Sequence, residues 1–576
     1  SQAATDQTLG GQLHRALKGR MSNWLMVPAR STKSGHPVGV LGPQVGYYVP
    51  EILMEEDLHG PGFDARGTAF PGVNLMVQLG HGRDYAWSAT TAYADNVDTF
   101  AEVLCQDDFH YLYKGQCLAM DKLDRNNSWT PNALVQESGS ETLTAYRTVH
   151  GIVYARGTSS GHRVAFVSAR TTYFHEADSA LGFIQLNDPN FITGPQAFQH
   201  AASNINFAFN WSYVDPSHIA YYQSGWYPQR AAGTSPDFPV LGTGEFDWQG
   251  YNPALHTLDV LPYTAHPNVI DPQYLVSWNN KQAPGWAAAD DHYAYGAVYR
   301  SQLIETHIRD ALRGGRKMSI EQLVSAMDEP ATEDIRPFAL WPTLKKVLGT
   351  PSDPRLRSAI SLLDGWYRRG FHRRDLDRNG AYDDDAAVTL MDAWWPRLLE
   401  AEFKGALGDD PFNGVKRMLA FGDPTPGGSP SAPDFADGWY GYVSKDLRDL
   451  LAKPALRAAR SAATRPTASA ARKPRRHRTH RKRHPVGGIR GQYSRIYCGS
   501  GSLSACRGGL LRALSDALGL SKAAIYGSGD CAGDPQASCF DQNRWTSASG
   551  ISVPSFPLQN RPTFQQVIEL THAAAR

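Results

Sequence analysis

No run of about 18 apolar residues occurs anywhere in the 576 residues. Nothing in them is therefore built to cross a membrane as a helix, and the polar stretch opening at Ser1 has none of the features of a signal peptide. Cysteine is scarce, with six residues and no CxxC pair accompanied by histidines, which argues against zinc. The six fall into three close pairs, Cys105/Cys117, Cys498/Cys506 and Cys531/Cys539. The sequence leaves their connectivity open, although local pairing is the least demanding geometry. Disulfides point to an oxidising compartment, so the protein is expected to be secreted, periplasmic or extracellular.

Acidic residues are missing from 451–490, a stretch that holds 13 Lys+Arg. Since the whole chain carries +1, the remainder is near −12 (1 − 13). Rich in Ala, Ser, Thr and Pro, this stretch cannot bury enough apolar surface to fold alone and reads as a basic disordered linker or insertion. The sharper alternative is an arm drawn to phosphate-rich or other anionic surfaces. It lacks interleaved aromatics and a recognisable nucleic-acid fold, which argues against a nucleic-acid partner. His477, His480 and His484 belong to this linker rather than to a metal site.

What is present is a folded composition, 41% hydrophobic and 11% aromatic, in a chain too long for one ordinary core. Between residues 22 and 297 short segments such as 163–170, 206–215 and 218–226 alternate apolar and polar residues, as strands with one buried face do. From 298 to 450 the apolar spacing changes to three and four, the pattern of amphipathic helices. Ser319 and Gln322 form a capping box at the start of one of them. His150, in RTVHG, reads as a hydrogen-bonded core histidine. A Cys-containing segment, 491–576, follows the linker and is expected to pack back on the 22–450 core.

The chemistry is carried by ordered blocks. MSNWLMVPARSTKSGHPVGVLGPQVGYYVP (21–50) is followed by HGPGFDARGTAFPG (59–72), YAWSATTAYADNVDTFAE (85–102), RTVHG (147–151), YPQRAAGTSPDFPVLGTGEFDWQG (227–250) and SWNNKQAP (277–284). Together they resemble the β-subunit portion of the penicillin acylase family, within the N-terminal nucleophile hydrolases. Residues 1–21 would then be the end of a spacer peptide. The resemblance implies an α+β fold, a four-layer αββα sandwich with an additional helical region.

It also implies an amidohydrolase of linear N-acyl amides, with Ser22 as nucleophile once autoproteolysis frees its α-amine. An α-amine with a pKa of about 8 would serve as the base, so no His or Asp partner is required. The backbone N–H of Thr91 and the side chain of Asn279 match the oxyanion donors. Gln44, Asn23 and Arg300 match positions around the nucleophile. Val45 and Tyr93 match the acyl pocket, where relatives carry aromatic residues. The smaller Val45 implies a wider pocket and favours aliphatic or bulkier acyl groups. Asp95, the carbonyl of Val97, Asp98, the carbonyl of Pro236 and Asp290 match a structural calcium site. Independently of the resemblance, Asp375, Asp377, Asn379 and Gly380 stand at EF-hand positions one, three, five and six. The glutamate due at position twelve is Ala386, and Asp383, Asp384 or Asp385 stand near enough to compensate.

The family's α region does not lie within these residues, so an α-subunit chain, from the same precursor or a separate gene, is the expected partner. The expected substrate is a small acyl amide such as a β-lactam side chain. Two alternatives are an acyl-homoserine lactone acylase and an inactive relative acting as a binding module.

Overall fold

The computed structural model describes residues 22–43, 45, 47–73, 75–131, 137–159, 161–290, 299–419, 439–463, 495–526, 536–543, 545–547, 550–557 and 563–571. The chain divides into two compact units, one of residues 1–331 with 543–576, the other of residues 332–542.

The first unit is layered by the period of its strands. In β1 (Asn23–Val27) all five residues are buried, and successive side chains point to opposite faces. Leu25 and Val27 join Val38 and Val40 of β2 (Val38–Gly42) against Ile304, Ile308, Leu323 and Met327, which lie on the helices Tyr299–Ala311 and Ile320–Asp328. Trp24 and Met26 face the other way and meet Ala86, Val214, Ile219 and Tyr221 of a second sheet. That sheet has seven strands, including β3 (Ala86–Thr91) and β4 (Phe209–Val214). Its far face, with Trp87, Trp211, Tyr213 and Tyr222, is covered by Leu186, Phe198, Ala201 and Ala202 from the helices Ala180–Asn187 and Pro195–Ser203. Helix, sheet, sheet and helix follow in that order, which is the αββα sandwich implied above. The first sheet is completed by β5 (Leu275–Ser277) beside β1 and by β6 (Gln566–Glu569) beside β2.

A further six-stranded sheet contains His162–Arg170 paired with Val97–Val103. His150 is buried against it, stacked on Phe100 with ring centroids 4.1 Å apart. Both of its ring nitrogens face carboxylate oxygens, Nδ1 to Glu102 at 2.8 Å and Nε2 to Asp247 at 2.9 Å. Only the imidazolium donates from both nitrogens. Burial works against that charge, but the hydrogen bonds and charges of Asp247 and Glu102 outweigh it and raise the His150 pKa.

The second unit is helical. The helix Ile320–Asp328 in the first unit does start on the Ser319 capping box; here Asp334 and Asp353 cap the helices Ile335–Leu348 and Pro354–Arg368 in a similar way. At its centre Arg336 and Arg373 are buried among Asp334, Asp392 and Asp541. Arg373 bridges Asp392 and Asp541, each at 2.9 Å, and Arg336 reaches Asp392 at 2.7 Å. Tyr526 and Tyr382 donate to Asp392 and Asp541.

Two boundaries differ from those read in the sequence. The helix Trp439–Ala463 runs past 451, where the linker was expected to begin, and takes in Pro454 on the way. The C-terminal segment is also divided, residues up to 542 belonging to the helical unit and 543–576 to the layered one. Cys105–Cys117 and Cys498–Cys506 are disulfides. Cys539 is disulfide-bonded too, while Cys531 and the linker histidines lie outside the described residues.

His150→Phe keeps the ring stack and removes both hydrogen bonds. Because the folded pKa of His150 is raised, its contribution is complete below the unfolded value of about 6.5 and is lost as pH rises through the folded value. Thermal melts should show the variant's deficit largest between about pH 4 and 6.5 and shrinking at higher pH. A deficit that grows with pH would contradict the charged state assigned to His150.

Candidate active site

Ser22 stands immediately before β1 and is 6% exposed. In the antiparallel pairing of β1 with β5, Trp24 faces Ser277, Leu25 faces Val276 and Met26 faces Leu275. The same register carried past Ser277 sets Asn279 opposite Ser22. The Ser22 N–H donates to Asn279 Oδ1 at 3.1 Å. Asn279 is buried and its backbone is left-handed, with φ 66°. Asparagine visits that region more readily than other non-glycine residues, so the chain turns sharply just past β5 while its amide stays beside Ser22.

The other end of that amide, Nδ2, donates to the Thr91 carbonyl oxygen at 2.8 Å. Thr91 is the last residue of β3, and the hydroxyls of its neighbour Thr90 and of Ser277 are 2.6 Å apart. A hydroxyl residue, a strand terminus and a primary amide are thus gathered from positions 22, 91 and 279. A primary amide carries two N–H bonds, so donation to Thr91 does not by itself exhaust Asn279.

Beyond Asn279 the chain is zipped along the segment after β3. Gln282 Nε2 donates to the Ala92 carbonyl at 3.0 Å, the Ala289 N–H to the Tyr93 carbonyl at 3.0 Å, and the Asp290 N–H to the Val97 carbonyl at 3.0 Å. Tyr93 has φ 50°, an uncommon backbone for a bulky residue. Asn23 is buried and pairs with Gly42. Val45 is 8% exposed, and its N–H donates to Thr563 Oγ1 at 3.1 Å. Gln44 lies outside the described residues, as does the side chain of Arg300 in the helix Tyr299–Ala311.

The residues matched to calcium enclose a cation supplied by the chain itself. Arg230 Nη2 lies 2.7 Å from Asp95 Oδ2 and 2.6 Å from Asp98 Oδ1, and its Nε donates to Asp98 Oδ2 at 2.9 Å. Trp248 Nε1 donates to the same Asp98 oxygen at 2.7 Å. Asp290 Oδ2 accepts from the Thr99 N–H at 2.6 Å, and Pro236 stands in the loop that follows Arg230. Burial pushes the Asp95 carboxyl well above the usual carboxylate range, against the pull of Arg230. Arg230 was not singled out in the sequence. The signal was the charge of Asp95, Asp98 and Asp290, which, if buried together, need a cation close by.

In the second unit, the Asp375, Asp377 and Asp383 carboxylates each bring an oxygen within 4.8 Å of the others. The N–H groups of Asn379 and Gly380 donate to Asp375 at 3.0 and 2.8 Å, and Asn379 Nδ2 donates to Asp377 at 2.9 Å.

A family model described as penicillin amidase matches residues 1–575. Over 356 residues the chain is 30% identical to a penicillin G acylase of Escherichia coli, an alignment covering 60% of this chain and 38% of that protein. It is 24% identical over 300 residues to the penicillin acylase 2 proenzyme of a Pseudomonas species, covering 50% and 34%. To an acyl-homoserine lactone acylase of Pseudomonas aeruginosa it is 26% identical over 287 residues, covering 45% and 31%. The chain therefore matches well under half the length of these curated relatives. Among solved structures, a thermostable penicillin G acylase from Alcaligenes faecalis superposes with a TM-score of 0.65 at 21% identity, over 96% of this chain and 88% of that one. At that identity the likeness is one of fold.

Arg230→Met keeps the aliphatic stem and strips two buried carboxylates of their cation. The expected cost is about 3–5 kcal/mol in denaturant unfolding. A loss below about 1 kcal/mol would mean that the cluster is solvated and the guanidinium dispensable.

Proposed function

The chain belongs to the penicillin amidase family, and from that premise we propose that it is an amidohydrolase cleaving linear N-acyl amides through an acyl-enzyme on Ser22. The observation that carries this reading is the link from Ser22 N to Asn279 Oδ1, with Asn279 Nδ2 anchored on the last carbonyl of β3.

Each feature of that geometry has a chemical use. Cleavage before Ser22 turns its N–H into an α-amine. The hydrogen bond to Asn279 Oδ1 orients this amine, leaving its lone pair to take the proton from the Ser22 hydroxyl, directly or through water. The hydroxyl oxygen attacks the amide carbonyl. The oxyanion that forms is held by Asn279 Nδ2 and the Thr91 N–H. The protonated amine then gives its proton to the departing amine, and water, activated in the same way, releases the carboxylic acid. Val45 and Tyr93 contribute to the acyl pocket. A small side chain at 45 supports acceptance of aliphatic or bulkier acyl groups.

Asp95, Asp98, Asp290 and the carbonyls of Val97 and Pro236 would hold a calcium ion. The fit rests on Asp95 Oδ1, a buried carboxylate oxygen without a hydrogen-bond partner, and on three carboxylates set against one guanidinium. Calcium there would tie the segment after β3 to the 290 region; it takes no part in the chemistry. Asp375, Asp377, Asn379 and Asp383 form a second, looser set of oxygen donors. The disulfides support an extracytoplasmic location, and the unmatched length of the relatives supports a second chain or region completing the pocket.

The mature protein is expected to begin at Ser22 by intact mass, and Ser22→Ala to abolish release of amine from a panel of aromatic, short and long acyl amides and acyl-homoserine lactones. Asn279→Ala should lower kcat by about 10²–10³-fold with little change in KM. In the wild type kcat should rise with pH through an amine pKa of about 8. If the Ser22→Ala protein remains active, the nucleophile is misassigned. Calcium should raise the melting temperature over that in chelator, and Asp95→Asn should abolish the rise; identical melts with and without calcium would remove the ion from the proposal.

A further inference from the structure

The C-terminal segment of the layered unit lies along the part of the chain that carries Val45. β6 pairs antiparallel with β2, Gln566 opposite Leu41 and Glu569 opposite Val38. Just before β6, Thr563 grips the backbone on both sides of position 44. Its N–H donates to the Pro43 carbonyl at 2.8 Å, and its Oγ1 accepts from the Val45 N–H at 3.1 Å. One residue, through backbone and side chain, thereby holds the backbone at both Pro43 and Val45.

Thr563 is itself held. Phe564 packs against the helix-covered face of the seven-stranded sheet, and Gln566 Nε2 donates to the Trp87 carbonyl at 3.2 Å. Further along the same stretch, Tyr47 packs edge-on against Trp545 and Phe556, with centroids 5.4 and 4.9 Å away. The short strand Thr546–Ser547 runs parallel to Tyr48–Val49. Residues 43–49 are thus held at both ends by a segment about five hundred positions later in the chain.

The grip is selective in its chemistry. Val45 is 8% exposed, so its N–H has poor access to bulk water and would lose its partner if the hydroxyl were removed. Threonine is suited to the task because its oxygen accepts while its branched Cβ restricts χ1 to few rotamers.

We propose that Thr563 is a positioning residue that sets where Val45 stands, and through it which acyl chains the site accepts. The inference rests on the reading of Val45 as a wall of the acyl pocket beside Ser22. Thr563 touches no reacting atom; it acts through the backbone of residues 43–45.

The test uses the complete protein, with any chain it pairs with, as wild type, Thr563→Val, which is close in shape but has no acceptor, and Thr563→Ser, which restores one. The probes are straight-chain carboxylates of short, medium and long length, titrated by calorimetry, so that the pocket is read without catalysis. Wild type should show a preferred length. Thr563→Val should lose about tenfold in affinity at that length and flatten the preference, while Thr563→Ser keeps the wild-type profile. Hydrogen exchange of peptides covering 43–47 should be faster in Thr563→Val and normal in Thr563→Ser.

Should Thr563→Val fail to fold, Thr563→Ala replaces it with the same expected result. The proposal is overturned if the length profile is unchanged without the hydroxyl, if exchange at 43–47 is unchanged, or if wild type binds none of the carboxylates. A shifted profile in a protein that hydrolyses no acyl amide would leave the positioning role standing and reject the enzymatic reading instead.

Discussion

The antiparallel register of β1 against β5 is the constraint on which the site depends. With Trp24 opposite Ser277, the residues flanking the pair, Ser22 and Asn279, are brought face to face. A slip of one residue would exchange the two faces of β1. Trp24 and Met26 would move into the helix layer, and Leu25 and Val27 into the space between the sheets. Both layers are closely packed, so the core energetics that select the register also place the candidate nucleophile. Neither Ser22 nor Asn279 has to find the other; the strands carry them there.

Charge plays the corresponding part in the segments outside the sandwich. Arg230 lies between Asp95 and Asp98, and His150 lies between Glu102 and Asp247. In each case a cation, partly buried at Arg230 and buried at His150, is matched with carboxylates from distant parts of the chain. Such clusters contribute little net stability, because desolvation offsets attraction, but losing one member leaves an unpaired charge at high cost. Their effect is to make one arrangement of the 95–102, 230 and 247 segments far better than its alternatives. The helical unit repeats the device with Arg336 and Arg373.

The layered unit is discontinuous in sequence. β2 lies between β1 and β6 in the first sheet. Residues that follow the helical unit in sequence therefore finish the sheet that carries Ser22, and they also hold the backbone at Pro43 and Val45. The Val45 backbone is thus bonded to the residue that leads into the last strand of the sheet.

Much of the local structure was legible in the residues. The period of two in 163–170, 206–215 and 218–226, the capping box at Ser319, the cysteine pairs 105/117 and 498/506 and a buried His150 are short-range signals, set by side-chain periodicity and neighbouring atoms. The blocks around Ser22, Thr91 and Asn279 singled those residues out, because a family resemblance is a property of the linear chain. Three features were not legible. Arg230 reads in sequence as one arginine among many, Thr563 as a polar residue in a tail, and the helix through Ala463 as the start of a basic linker. The sequence by itself determined which elements form and which residue types are available for chemistry, since propensity and periodicity act over a few neighbours. Only the tertiary structure decided which of those residues meet, because register, sheet order and the pairing of buried charges are settled by packing between segments hundreds of positions apart.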